Sequence, residues 1–143
     1  MSIMRAVPES LRLIGVLLAA GAIAGVGSLI LLNDPDKGVA AAEVLTGGIV
    51  ARGKIAIERR QCAACHVIPG IAGAKGQVGP SLDGVASRRT IAGLLRNDAD
   101  GMILWLRHPQ AVAPGNAMPD MGLTDREARD IAAYLYSLNE APS

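Results

Sequence analysis

Apolar and polar positions divide this chain into two unlike parts. From Leu13 to Leu32, LIGVLLAAGAIAGVGSLILL, no charge occurs and Ser28 is the single polar break. A run of that length crosses a bilayer as one helix, which predicts a cytoplasmic N-terminus and transmembrane anchor over 1–32. The competing reading is a cleaved signal peptide, whose apolar region is shorter and is followed closely by a small-x-small site. Ala40 to Ala42 supply such a site, but well beyond the run. Arg5 and Arg12 before the span, against Asp34 and Asp36 after it, place the N-terminus in the cytoplasm and the rest outside. Gly21 and Gly25, and Ala20, Ala24 and Ser28, stand four apart. They read either as a face for a second helix or as ordinary membrane composition.

Beyond the run the pattern changes to short helical periods separated by breakers. Pro35, Gly38, Gly47 and Gly48 make 33–47 a linker. Ile49, Gly53, Ala56 and Ile57 recur at helical spacing and predict a helix ending near Arg60. The stretch VIPGIAGAKGQVGPSLDGV is too rich in Gly and Pro for long regular structure. Helical signals return at Asn97–His108, with Asn97 or Asp98 as cap and Pro109 as stop, and a second loop, PQAVAPGNAMPDMG, follows. The last helix is the best marked: Thr124 and Glu127 form a capping box, and Ala128, Ile131, Leu135 and Leu138 an apolar stripe with Tyr134 beside it. No strand of convincing alternation occurs. The domain over 48–143 is therefore expected to be all-α with long loops.

Half of the composition is apolar, yet there is no Phe, with two Tyr and one Trp. Aliphatic side chains must fill the core unless a large flat group helps. The net charge of +1, nearly balanced from Glu43 onward, gives no field for long-range steering and no support for nucleic-acid binding.

Both cysteines fall in RRQCAACHVIPG, with His66 directly after Cys65. Cys-x-x-Cys-His is the attachment pattern of c-type haem: Cys62 and Cys65 add to two vinyl groups as thioethers, and His66 brings an imidazole nitrogen to the iron. Zinc would need a second ligand pair, and the one other histidine, His108, stands alone. A redox dithiol or a structural disulfide needs no adjacent histidine. An electron-carrying haem takes a second ligand, and a thioether there raises its potential. Met102 lies among core positions of a predicted helix. Met118 sits in a constrained loop between Pro114-Gly115 and Pro119, and Met121 is a further candidate.

Taken together these segments resemble the class I cytochrome c family over roughly Gly48 to Leu138. The resemblance implies three to five short helices around one covalent haem c. It makes His66 and Met118 the metal ligands, since the family's ligand stands three residues after the glycine of a Pro-Gly pair. Gly79-Pro80 resembles the pair whose proline carbonyl receives the histidine N–H. Arg88 matches a buried arginine near a propionate, and Asn116 a loop position that bonds one. Trp105 falls where the family keeps an aromatic against the haem, and reads equally as plain core. The first and last helices are expected to cross through Gly53 and Ile57 against Ile131 and Tyr134, with Ile57 where an aromatic is commoner. His108 reads as a partly exposed loop residue.

The function implied is one-electron transfer to or within a membrane respiratory complex, a terminal oxidase or a quinol:cytochrome c oxidoreductase. The haem domain would lie on the periplasmic side of a bacterial inner membrane. A fixed subunit of a larger redox enzyme is the alternative, favoured by a less specific likeness of HVIPGIAGAKGQVGPSL and DIAAYLYSL to cytochrome subunits of haem–copper oxidases. No acid, base or nucleophile constellation marks the chain as an enzyme. A haem peroxidase or ligand sensor would need an open sixth position.

Overall fold

Pro8 begins the described chain and hands its carbonyl to the N–H groups of Leu11 and Arg12, at 3.0 and 3.3 Å, so that helix α1 (Glu9–Leu32) starts directly after it. Glu9 stands in the first turn, favourably placed at the positive end of the helix. The computed structural model describes residues 8–32 and 35–138, with the backbone alone for 26–32 and 35–36. Side chains of α1 up to Gly25 are exposed all round, Leu17 at 71% and Ile23 at 73%. Among the described residues no helix is long and apolar enough to cross a membrane. The span expected at Leu13–Leu32 is thus not supported by the fold. Its last seven residues, 26–32, and the flanking charges Arg5 and Asp34 lie outside the described residues or side chains.

The chain from Pro35 onward is a separate unit, described by itself. Its frame is α3 (Val50–Arg59) crossed by α6 (Asp125–Ser137), with α4 (Ala99–Arg107) against α6 and the short α5 (Pro109–Val112) leading into the second loop. The α3–α6 crossing is close because Gly53 has no side chain: a Cβ there would overlap the Asp130 carbonyl and lie 2.9 Å from Tyr134 Cβ. Ile57 and Ile131 are each 1% exposed, so an aliphatic residue fills the place where the family resemblance implied an aromatic. The core around them is aliphatic, with Met102, Ile103, Leu106, Ala128 and Leu135 buried and Trp105 partly so.

The expected linker is instead helix α2 (Pro35–Thr46), packed on α6. Its breakers sit where they do no harm. Pro35 occupies the first turn, where its missing N–H is not needed, and Gly38, Ala42 and Thr46 form the buried, small-residue face. The helix also supplies a cap. Ile49 cannot cap α3, so Glu43 Oε1 accepts the Val50 N–H at 2.9 Å and Asp130 Oδ1 accepts the Ile49 N–H at 2.7 Å. In return Arg129 Nη1 donates to the Thr46 carbonyl at 3.1 Å, at the C-terminus of α2. Helices α2 and α6 thus close the start of α3, and α6 closes the end of α2.

A two-residue antiparallel ladder, β1 (Thr90–Ile91) with β2 (Leu95–Arg96), pairs Thr90 with Arg96 and Ile91 with Leu95. It is too short to leave any alternation in the sequence, which is why no strand was expected. Helices α4 and α6 match the expected segments closely. Asp98 caps α4 by accepting the Gly101 N–H at 2.8 Å, and the Thr124–Glu127 capping box is complete.

Candidate functional site

The two cysteines are presented by a tight reversal after α3. Gln61 takes a left-handed conformation (φ 54°), and Cys62–Ala64 form a single 3₁₀ turn. The N–H groups of Cys65 and His66 both return to the Cys62 carbonyl, at 3.2 and 3.0 Å. Cys62, Cys65 and His66 are all half-buried, and both thiols are free. Burial pushes the Cys62 thiol above its ordinary value.

His66 is held from one side. Its Nδ1 lies 2.8 Å from the Pro80 carbonyl, which can only accept, so Nδ1 carries the proton and Nε2 keeps a free lone pair. Gly79 is packed so closely on the ring that any Cβ would overlap the imidazole. The Gly79 N–H donates to the Cys65 carbonyl at 2.8 Å, and a Cβ on Gly76 would collide with the Ala64–Cys65 backbone. The glycine-rich loop is thus ordered, pressed against the turn that carries the cysteines.

Met118 is held in the second loop. Its N–H donates to Asn116 Oδ1 at 2.7 Å, and its carbonyl accepts from Gln110 Nε2 at 2.7 Å. Asn116 Nδ2 donates to the carbonyls of Pro109 and Ala113, at 2.9 and 2.7 Å. Both amide hydrogens of Asn116, the residue expected at a propionate, are thus engaged inside the loop. Gln110, which sequence reasoning passed over, turns out to bind the same segment. Its position directly after Pro109 was the signal, a polar residue in an otherwise apolar stretch.

Two cavities, of about 310 and 230 Å³, share the walls Cys62, His66, Val78, Gly79, Ala117 and Met118. The larger also meets Pro80, Arg88, Trp105 and Asn116, and the smaller meets Cys65 and Met121. Every site residue expected from the sequence thus lines this one region. Arg88 differs from expectation in being exposed: its Nη2 donates to the Ser81 and Asp83 carbonyls, tying down the loop at the cavity edge. Met102 is buried in the core and also reaches the larger cavity. His108 is exposed, lines neither cavity, and ends α4. An imidazole nitrogen and a thioether sulfur beside two free thiols, in a largely apolar hollow whose Gly79 wall holds the ring flat, fit a covalently attached haem.

Comparison with known proteins agrees with this chemistry. The cytochrome c family model matches residues 50–139. The chain is 35% identical over 96 residues to cytochrome c oxidase subunit 2 of Alkalihalophilus pseudofirmus, covering 65% of this chain and 27% of that protein. It is 40% identical over 88 residues to cytochrome c2 of Rhodoblastus acidophilus, covering 52% and 80%. With cytochrome c2 of Agrobacterium tumefaciens it shares 32% over 113 residues, 67% of this chain and 98% of the other. Thus it spans only about a quarter of the oxidase subunit's length but most of the cytochrome c2 chains. No solved structure gives a match.

Proposed function

The chain belongs to the cytochrome c family, binding haem c covalently and transferring electrons through it, and from that premise we propose a membrane-anchored electron carrier in which His66 and Met118 would hold the haem iron. Cys62 and Cys65 would hold the haem by thioether bonds. The bound group supplies the one-electron redox couple, and the residues around it set its conditions. The Pro80 carbonyl fixes the imidazole tautomer and keeps Nε2 available to the metal. The Asn116 and Gln110 bonds fix the backbone of Met118, whose thioether raises the potential. Arg88 and Trp105 border the cavity, Arg88 offering a cation for a propionate and Trp105 a flat apolar face.

The observation that carries the reading is the placing of His66 and Met118 on the same pair of cavities beside both cysteines. Replacing Met118→Ala in the haem-loaded chain is expected to turn the ferric spectrum high-spin, admit exogenous ligands and lower the reduction potential. An unchanged low-spin spectrum and potential would rule Met118 out.

For the anchor, the support is the uncharged run Leu13–Leu32, with Arg5 and Arg12 on one side and Asp34 and Asp36 on the other. It would hold the haem domain on the periplasmic face of a bacterial inner membrane. The partner is then a respiratory complex of that membrane. A terminal oxidase is favoured by the match to oxidase subunits, and residence in that complex as a fixed subunit is the second reading. Gently solubilised membranes run on a native gel, stained for haem and then run denaturing, separate the two. A full-length haem band travelling with a large oxidase makes the chain a resident subunit; the same band travelling alone makes it an anchored shuttle.

A further inference from the structure

Gln110 sits in α5 beside Pro109, a residue almost fully buried. Its side-chain amide makes three bonds to one stretch of backbone. Oε1 accepts from the Gly115 N–H at 3.1 Å, while Nε2 donates to the Asn116 carbonyl at 2.9 Å and the Met118 carbonyl at 2.7 Å. Every hydrogen of the amide is engaged, and no other residue type offers one acceptor and two donors in one plane at this reach. Glu lacks the donors, Lys lacks the acceptor, and Asn is one methylene short. Apart from Gln110 the segment is held by Asn116, through the Pro109 and Ala113 carbonyls and the Met118 N–H, and residues 114, 115, 117 and 119 are exposed.

We propose that Gln110 is a positioning residue that clamps the 115–118 backbone and so governs how readily Met118 leaves the metal and opens the sixth position. This rests on Met118 being the ligand. Asn116 completes the clamp from the other side by accepting the Met118 N–H. Gln110 acts on the frequency of opening, because an exogenous ligand binds only to the fraction of molecules in which the loop has swung out.

The test uses the full-length, haem-loaded chain in the ferric state, titrated with imidazole and followed by the loss of thioether ligation in the visible spectrum. Three bonds of ordinary net strength predict that Gln110→Ala raises apparent imidazole affinity on the order of 10- to 100-fold. Gln110→Glu is expected to open the site further still, since a carboxylate would face two carbonyls. Amide exchange at Gly115 and Met118 should accelerate in both variants, while exchange in the centres of α3 and α6 stays as in wild type. Wild-type imidazole affinity together with wild-type exchange at 115–118 would overturn the proposal. So would uniform acceleration across all helices, which would make Gln110 a general stabilising residue. Met118→Ala is the control for the underlying reading: if its imidazole affinity equals wild type, the ligand assignment fails, whereas an open Met118→Ala beside an unaltered Gln110→Ala defeats the clamp alone.

Discussion

At the scale of single residues, the site depends on one missing side chain as much as on the donors. A Cβ at position 79 would overlap the His66 ring, and the N–H of the same residue is bonded to the Cys65 carbonyl, so the loop cannot simply shift away. Gly79→Ala is therefore expected to rotate the imidazole off the Pro80 carbonyl. Haem incorporation, measured by pyridine haemochrome per polypeptide, should fall several-fold, and the protein that does load should show mixed spin. Wild-type loading with a low-spin spectrum would mean that the ring tolerates displacement. The donors themselves were legible in the sequence because their chemistry imposes spacing: Cys62, Cys65 and His66 occupy one turn, and Met118 follows a Pro-Gly pair. The bracing groups were not. The loop bonds of Gln110 and Asn116 depend on which carbonyls the folded loop turns inward, and no local pattern encodes that.

At the scale of helices, the capping among α2, α3 and α6 explains why 35–46 is helix rather than tether. It also shows why the sequence concealed it. Pro35, Gly38 and Gly47 are breakers by composition, and only contact with α6 converts the Gly38–Ala42–Thr46 row into a packing face. The family match begins at residue 50, so α2 lies outside it. A chain starting at Gly48 loses the Glu43 cap and the cover of Ala42 and Thr46, and is expected to be roughly 2–4 kcal/mol less stable in denaturant than one starting at Pro35. Equal stabilities would reduce α2 to a passenger. Helix α6, by contrast, was plain from its capping box, and its start also carries a pH dependence. Bonds from the Thr124 backbone and from Arg60 lower the Glu127 carboxyl from 4.5 to about 2. A carboxyl lowered on folding stabilises the fold fully above its unfolded value of 4.5, and that contribution fades as pH drops toward 2. Melting of wild type and Glu127→Gln should therefore differ most above pH 5 and converge on acidification; a gap independent of pH would assign the effect to packing alone.

At the scale of the whole molecule, charge and attachment bear on how electrons reach a partner. The net charge is +1, and the ion pairs Arg52–Asp130, Arg60–Glu127 and Arg129–Asp125 hold part of the charge internally. Ala64, Ala117 and Pro119, all uncharged and exposed, are among the residues lining the smaller cavity. Little long-range field remains to guide a diffusing encounter, and a steered pair would lose rate steeply as salt shortens the Debye length to about 10 Å at 0.1 M. With the anchoring proposed above, electron transfer from this protein in membrane vesicles to its oxidant is therefore expected to change less than about threefold between roughly 10 and 200 mM salt. Flash-reduction kinetics on membrane vesicles measure this directly. A fall of tenfold or more would mean that encounter, rather than a standing contact, limits the reaction, and that the charged residues outside these pairs, Lys54, Lys75 and Arg89 among them, take part in docking. A flat profile that persists on dilution of the vesicles would place donor and acceptor in the same bilayer, as an anchored carrier requires.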